Sequence, residues 1–338
     1  MKQLKTYHLS ILVMLLIASF LFSLSAGTKE IGIKNILSFL FLSSDSNSSE
    51  IILNFRLPKS IAALCCGSAL AVCGLMMQTL FRNPLAGPYI LGINSGANLF
   101  VSLFIMGAGY INLPWINNFN YFGLPFFSMS GSFLSMLAIL LISTRVKNTS
   151  TLLLAGIMLG FLYSAVQGLL EYFSNPNQLK SFVIWSMGNL NNLSWNQLNL
   201  FIPITLISII AAVFSAKNLN NFLLGDNYAK SSGTNIKNLR WMIITTAGIL
   251  SGITVAYCGP IAFVGLIVPH LARIIFRTSN HFTLIPACVL MGSILLLLCD
   301  GMGSFFTENF TLPINIITSI IGAPFTIWIL MRKNNYVE

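Results

Sequence analysis

The sequence predicts an all-α membrane protein, a polytopic bundle of about ten transmembrane helices. Three observations lead there. Of the 338 residues, 55% are hydrophobic and only 8% are charged, against roughly 25% charged in an average soluble domain. Apolar runs long enough to cross hydrocarbon recur along the whole chain. When these runs are threaded back and forth, the basic residues collect on one side. Eighteen basic and eight acidic residues cannot coat a water-facing surface of this size, so lipid must solvate most of the chain. The net charge of +10 comes without any basic patch interleaved with aromatics, which excludes nucleic acid as a partner.

The runs lie at 9–26, 60–80, 90–107, 122–143, 152–173, 198–216, 241–257, 261–276, 283–299 and 314–331. A vertical span takes about 20 residues. The first run follows Lys2 and Lys5 and ends in Ser23-Leu24-Ser25-Ala26-Gly27, which also fits a cleaved signal segment. Charge favours keeping it. With ten spans and both termini cytoplasmic, Lys2, Lys5, Arg82, Arg145, Lys147, Lys217, Lys230, Lys237, Arg240, Arg273, Arg277, Arg332 and Lys333 lie inside. Lys29, Lys34, Arg56, Lys59 and Lys180 lie outside, a division of 13 against 5 that obeys the positive-inside rule. The polar stretch 43–49 is an external loop. Pro203 and Pro286 fall in the first turns of their helices, where a missing N–H costs little. Pro260 and Pro269 bracket the eighth run, predicting a short helix with irregular ends; protein or a water-filled cavity must surround such backbone. Gly92/Gly96, Gly156/Gly160 and Gly248/Gly252 have the spacing that lets helix backbones approach. No repeat and no second soluble domain is visible, so 1–338 reads as one transmembrane domain.

Catalytic chemistry is not evident. Cys65, Cys66, Cys73, Cys258, Cys288 and Cys299 form no CxxC pair and read as small buried hydrophobes. The histidines His8, His270 and His281 are too scattered for a metal site, and His270 reads as structural. No cofactor is implied. Mid-span acids, the mark of a proton-driven carrier, are missing, since Glu171 and Asp300 lie near the outer ends of their helices within reach of water. An ion-gradient-driven secondary transporter is the alternative to keep. An intramembrane enzyme would need more than Asp300 and His270. There is no GxxxxGK[ST] phosphate loop, so energy for active transport would come from a partner.

A partner would push on a cytoplasmic loop, and the longest polar one is 217–240. Within it Gly225, Ala229 and Gly233 recur every four residues and would form a smooth helical ridge. Asp226 can cap the short helix, with Lys230 four residues on as an ion-pair partner. On physics alone the loop serves equally as an amphipathic connector.

Seven segments, in order, decide between these readings. They are RLPK at 56–59, GLMMQTLFRNPLAGP at 74–88, LGINSGA at 91–97, LAG at 154–156, LGDNYAKSSG at 224–233, CGPIAFVGLIVPH at 258–270 and IGAPF at 321–325. Together they resemble the FecCD/BtuC-type permease subunits of ABC importers for iron-siderophores, haem and vitamin B12. The resemblance implies the type II ABC importer permease fold in a bacterial inner membrane. It implies a second permease copy, with the substrate path along the homodimer interface, two ATP-binding subunits inside and a substrate-binding protein outside. Iron complexes are the commonest cargo of that family. On this reading Gly225, Asp226, Ala229, Lys230 and Gly233 couple to the ATPase, and Asn83-Pro84-Leu85 forms a cytoplasmic gate. Arg56 and Lys59 meet carboxylates of the binding protein on the outer surface. ATP-driven closure, transmitted through the 217–240 loop, re-angles the helices for alternating access. The chain departs from the family at Ser304, near which some relatives carry an arginine, and at TLPIN, 311–315, where Glu-x-Pro-x-Gly is frequent.

Overall fold

A backbone in lipid must satisfy its own N–H and C=O groups, and the computed structural model answers that demand with helices. It describes residues 2–27, 47–87, 92–107, 123–146, 148–191, 193–304 and 312–331. Among them every regular element is helical. In chain order these are α1 (Lys2–Ser25), α2 (Asn47–Ile51), a π-helical turn (Ile52–Arg56), α3 (Leu57–Phe81), α4 (Ile93–Gly107), α5 (Gly123–Arg145) and α6 (Thr149–Phe173). Then follow α7 (Pro176–Ser186), α8 (Trp195–Phe214), α9 (Ala216–Leu223), α10 (Asp226–Ser231), α11 (Ile236–Cys258), α12 (Val264–Phe276), α13 (His281–Gly303) and α14 (Ile314–Met331).

Each of the ten apolar runs contains a helix among the described residues. Seven described helices are long and apolar enough to cross a membrane, while α4, α12 and α14 are shorter. At 1.5 Å per residue, α12 with its 13 residues reaches about 20 Å, short of the roughly 30 Å hydrocarbon layer. The backbone before it is irregular, with Gly259 at φ 72° and Phe263 at φ 68°, so α12 begins at Val264 rather than 261. Protein absorbs the exposed polar groups there: the Asn189 N–H donates to Cys258 O at 2.9 Å, and the Ala262 N–H donates to Asn315 Oδ1 at 3.1 Å.

Helix α3 runs through the middle, against α11, α12 and α13, and α1 lies on the outside of α13. Helix α3 is buried on nearly every side from Ala62 to Phe81. Small residues make that possible. A Cβ on Gly67 would strike the carbonyl of Gly292, and one on Gly74 would fall on the carbonyl oxygen of Gly265. The backbones of α3 and its neighbours therefore touch directly, as packing-driven association in lipid favours. Gly96 and Gly131 make the same kind of crossing between α4 and α5. Of the three predicted glycine pairs, Gly248 and Gly252 face Met136 and Ser132 of α5. Gly92 precedes α4 at φ 70° and faces Gly156 and Gly160 of α6.

Several boundaries move. Residues 47–49 of the predicted loop belong to α2, and 43–46 lie outside the described residues, as do Lys29, Lys34, Lys147, Pro88, Leu91, Thr311, Arg332 and Lys333. A capping box between Ser194 and Gln197 starts α8 at Trp195, so Pro203 sits inside that helix. Pro286 likewise sits inside α13, which starts at His281. All six cysteines are buried free thiols. A maleimide is therefore expected to leave the folded chain unmodified in mild detergent and to add to all six thiols after denaturation. Intact-mass measurement before and after SDS checks this, and rapid labelling in mild detergent would contradict the packing.

Candidate functional site

Two clusters occupy opposite ends of α3, about 37 Å apart for its 25 residues. At the C-terminal end Arg82 caps the helix in the left-handed region, φ 47° and ψ 37°, a conformation costing a non-glycine residue about 1–2 kcal/mol. Its side chain makes compensating contacts. The guanidinium lies 4.6 Å from the centre of the Phe222 ring, donates to Phe222 O at 2.9 Å and pairs with Asp226. The next residue begins a tight turn: Asn83 Oδ1 accepts the Leu85 N–H at 2.9 Å, and Asn83 O accepts the Ala86 N–H at 3.0 Å. Pro84 is exposed and Leu85 half-buried.

The 217–240 loop folds back on this end. Helix α9 buries Ala216, Leu219 and Phe222, Gly225 reverses the chain at φ 113°, and Gly233 ends α10 at φ 79°. The predicted ridge does not form. Gly225 and Gly233 lie outside the six-residue α10, and Ala229 is fully buried against the chain itself. Nor does Asp226 turn to Lys230, which is exposed. Asp226 pairs with Arg82 and, at 3.7 Å, with Arg240 at the start of α11. Leu224, ahead of the Gly225 reversal, and Tyr228, on α10, are left 66% and 50% exposed. Two large apolar residues in a polar loop were the available sequence signal for a contact surface. Arg82 gave no such signal, because its acceptors lie more than 100 residues away.

Buried beside this cluster is a further polar group. Gln78 Nε2 donates to Leu266 O at 3.1 Å, and Arg273 Nη1 donates to Gln78 Oε1. His281 is buried between Thr79 Oγ1 and Asn220 Oδ1, each at 2.8 Å. α9 is thus fixed to α3 and α13 by polar side chains as well as by packing.

At the other end the two cations expected on the outer surface are turned inward. Arg56 is 7% exposed, and its Nη1 donates to Leu24 O at 2.7 Å and Ser25 O at 2.8 Å. It thereby satisfies carbonyls that the end of α1 leaves without helical partners. Lys59 Nζ lies 2.9 Å from Asp300 Oδ1, with side chains 12% and 5% exposed. Asp300 also accepts from Ser23 Oγ at 3.0 Å, so it is a buried ion-pair partner, not a water-facing acid. Lys59 also donates to Ser304 Oγ at 3.5 Å. Lys59 is the cation that pairs with Asp300.

The FecCD transport family matches residues 15–332. The chain belongs to the FecCD transport family. The hemin transport system permease protein HmuU of Yersinia pestis is 36% identical over 323 residues, covering 92% of each chain. The vitamin B12 import system permease protein BtuC of Citrobacter koseri is 35% identical over 280 residues, covering 82% of each. A solved metal-chelate-type ABC transporter in an inward-facing conformation superposes with a TM-score of 0.84 at 30% identity, covering 96% of this chain and 99% of that one. This FecCD-family chain is accordingly an integral inner-membrane permease subunit of an ABC importer. It is not itself an enzyme; ATP hydrolysis belongs to a separate subunit, and a substrate-binding partner works with it. The ion-gradient-driven alternative finds no support among these relatives.

Proposed function

We propose that this permease moves a metal chelate, an iron complex such as haem or a ferric siderophore, with cobalamin as the other candidate. The similarity to the hemin permease over 92% of both chains carries this reading. Residues 1–338 act as one transmembrane domain with both termini cytoplasmic, on the strength of the 13-to-5 division of basic residues. Two copies form the path. Helix α6 buries only Leu152 and Gly156 among its described side chains, leaving an apolar surface for the second copy. The segment containing Gly225, Asp226, Ala229, Lys230 and Gly233 receives the ATPase through Leu224 and Tyr228, and Asn83-Pro84-Leu85 gates the path beside it. The binding protein docks on the outer face around Arg56 and Lys59, whose buried contacts with the end of α1 and with Asp300 hold that face in shape.

The test is purification of the tagged chain from native membranes, followed by reconstitution into liposomes. An ATP-binding subunit in equal amount and ATP-dependent accumulation of radiolabelled hemin are the expected results. Accumulation of cobalamin in place of hemin would overturn the iron assignment alone. Absence of any ATPase, even after crosslinking, would overturn the coupling assignment.

A further inference from the structure

We propose that Arg82 is a positioning residue that locks the gate turn and the ATPase-facing loop into one body. The inference rests on the reading that the 224–233 segment receives the ATPase, and it adds what that segment pulls on. Arg82 is the residue immediately before Asn83. Its backbone ends α3, while its side chain grips the loop at three points: the Phe222 ring, the Phe222 carbonyl and the Asp226 carboxylate. These partners straddle the chain reversal at Gly225, so one guanidinium holds the last turn of α9 and the first residue of α10 together. Displacement of α10 away from Arg82 breaks the Asp226 contact, and displacement of α9 breaks the two Phe222 contacts, so neither segment moves independently of Arg82. The left-handed backbone at Arg82 makes the grip directional, since the turn that follows takes its exit angle from that conformation.

Arg240 serves as an internal comparison. It also reaches Asp226, at 3.7 Å, but from α11, with no covalent link to the gate. Both Arg82 and Asp226 side chains are about 40% exposed, and ion pairs with that much water contribute little to global stability. Loss of Arg82 is therefore expected to leave the protein folded, which separates a positioning role from a structural one.

The experiment places spin labels at Pro84→Cys and Asn227→Cys, both exposed positions, in the full-length chain in lipid nanodiscs with whatever ATPase accompanies it. Double electron–electron resonance then measures the distance distribution with and without ATP. The labelled parent is expected to give one narrow distribution that ATP does not shift. Arg82→Gln and Asp226→Asn should each broaden it about twofold, Arg82→Lys should restore part of the narrowness, and Arg240→Gln should leave it narrow. Thermal unfolding midpoints should agree among all four. A narrow distribution in Arg82→Gln, or equal broadening in Arg240→Gln, would overturn the proposal. Failure of an ATPase to accompany the parent would instead overturn the coupling reading, and the label distances in the permease alone would still decide whether Arg82 joins the two segments.

Discussion

Asp300→Ala is expected to destabilise the permease by about 3–5 kcal/mol, the usual consequence of leaving one member of a buried ion pair alone. The surviving ammonium of Lys59 would sit in a site where its side chain is 12% exposed, with Ser304 at 3.5 Å as its remaining partner. Ser23 would lose an acceptor but keep its 2.8 Å contact with Ser60. Replacing both charges, as in Lys59→Met with Asp300→Leu, should recover most of the loss, because an apolar pair of similar volume removes the desolvation penalty altogether. Unfolding by SDS titration in mixed micelles, followed by tryptophan fluorescence, measures both. Parent-like stability in the single variant would mean that Lys59 swings out to water, standing as the free outer cation that its place in the sequence suggested.

The second large effect is expected at the helix crossings. Gly74→Val should cost about 3 kcal/mol or more, at or beyond the upper end of overpacking effects, because its Cβ falls on a backbone carbonyl and no side-chain rotamer can relieve the clash. Gly67→Val should behave alike against Gly292. Separating two backbones forfeits the contacts that hold helices together where lipid supplies no hydrophobic drive. Gly168→Ala on the exposed side of α6 is the control: nothing lies within 4 Å of its Cβ, and alanine favours the helix by up to about 1 kcal/mol. The yield of monodisperse protein after extraction, together with SDS titration, distinguishes these outcomes. A parent-like Gly74→Val would rule out direct backbone contact between α3 and α12.

All ten spans could be read from the sequence because lipid imposes one rule on every segment, and a long apolar run has no alternative to helix. What escaped depends on distant pairing. Lys59 and Asp300 each look like an interfacial charge; only the crossing of α3 and α13 brings them within 2.9 Å. Asp226 with Lys230 satisfies the local i, i+4 rule, yet two arginines from other helices take the carboxylate. The four-residue rhythm of Gly225, Ala229 and Gly233 is real in sequence. Its glycines serve positive-φ reversals at the two ends of α10, the use for which glycine is suited. Helices α7 and α9 were missed for another reason: at 11 and 8 residues, they are too short and too polar to register as spans.

The burial of α3 has a mechanical consequence. A helix gripped along its length by backbone crossings at Gly67 and Gly74 resists bending, so it behaves as a lever. Arg82 lies 8 to 15 residues beyond these crossings, an arm of roughly 12–22 Å, so a tilt of about 5° would sweep it through roughly 1–2 Å. An event on the outer face and an event at the ATPase would then act on opposite arms of one beam. Communication across the membrane would need no relay of intermediate side chains, only a fulcrum, and the glycine crossings supply it.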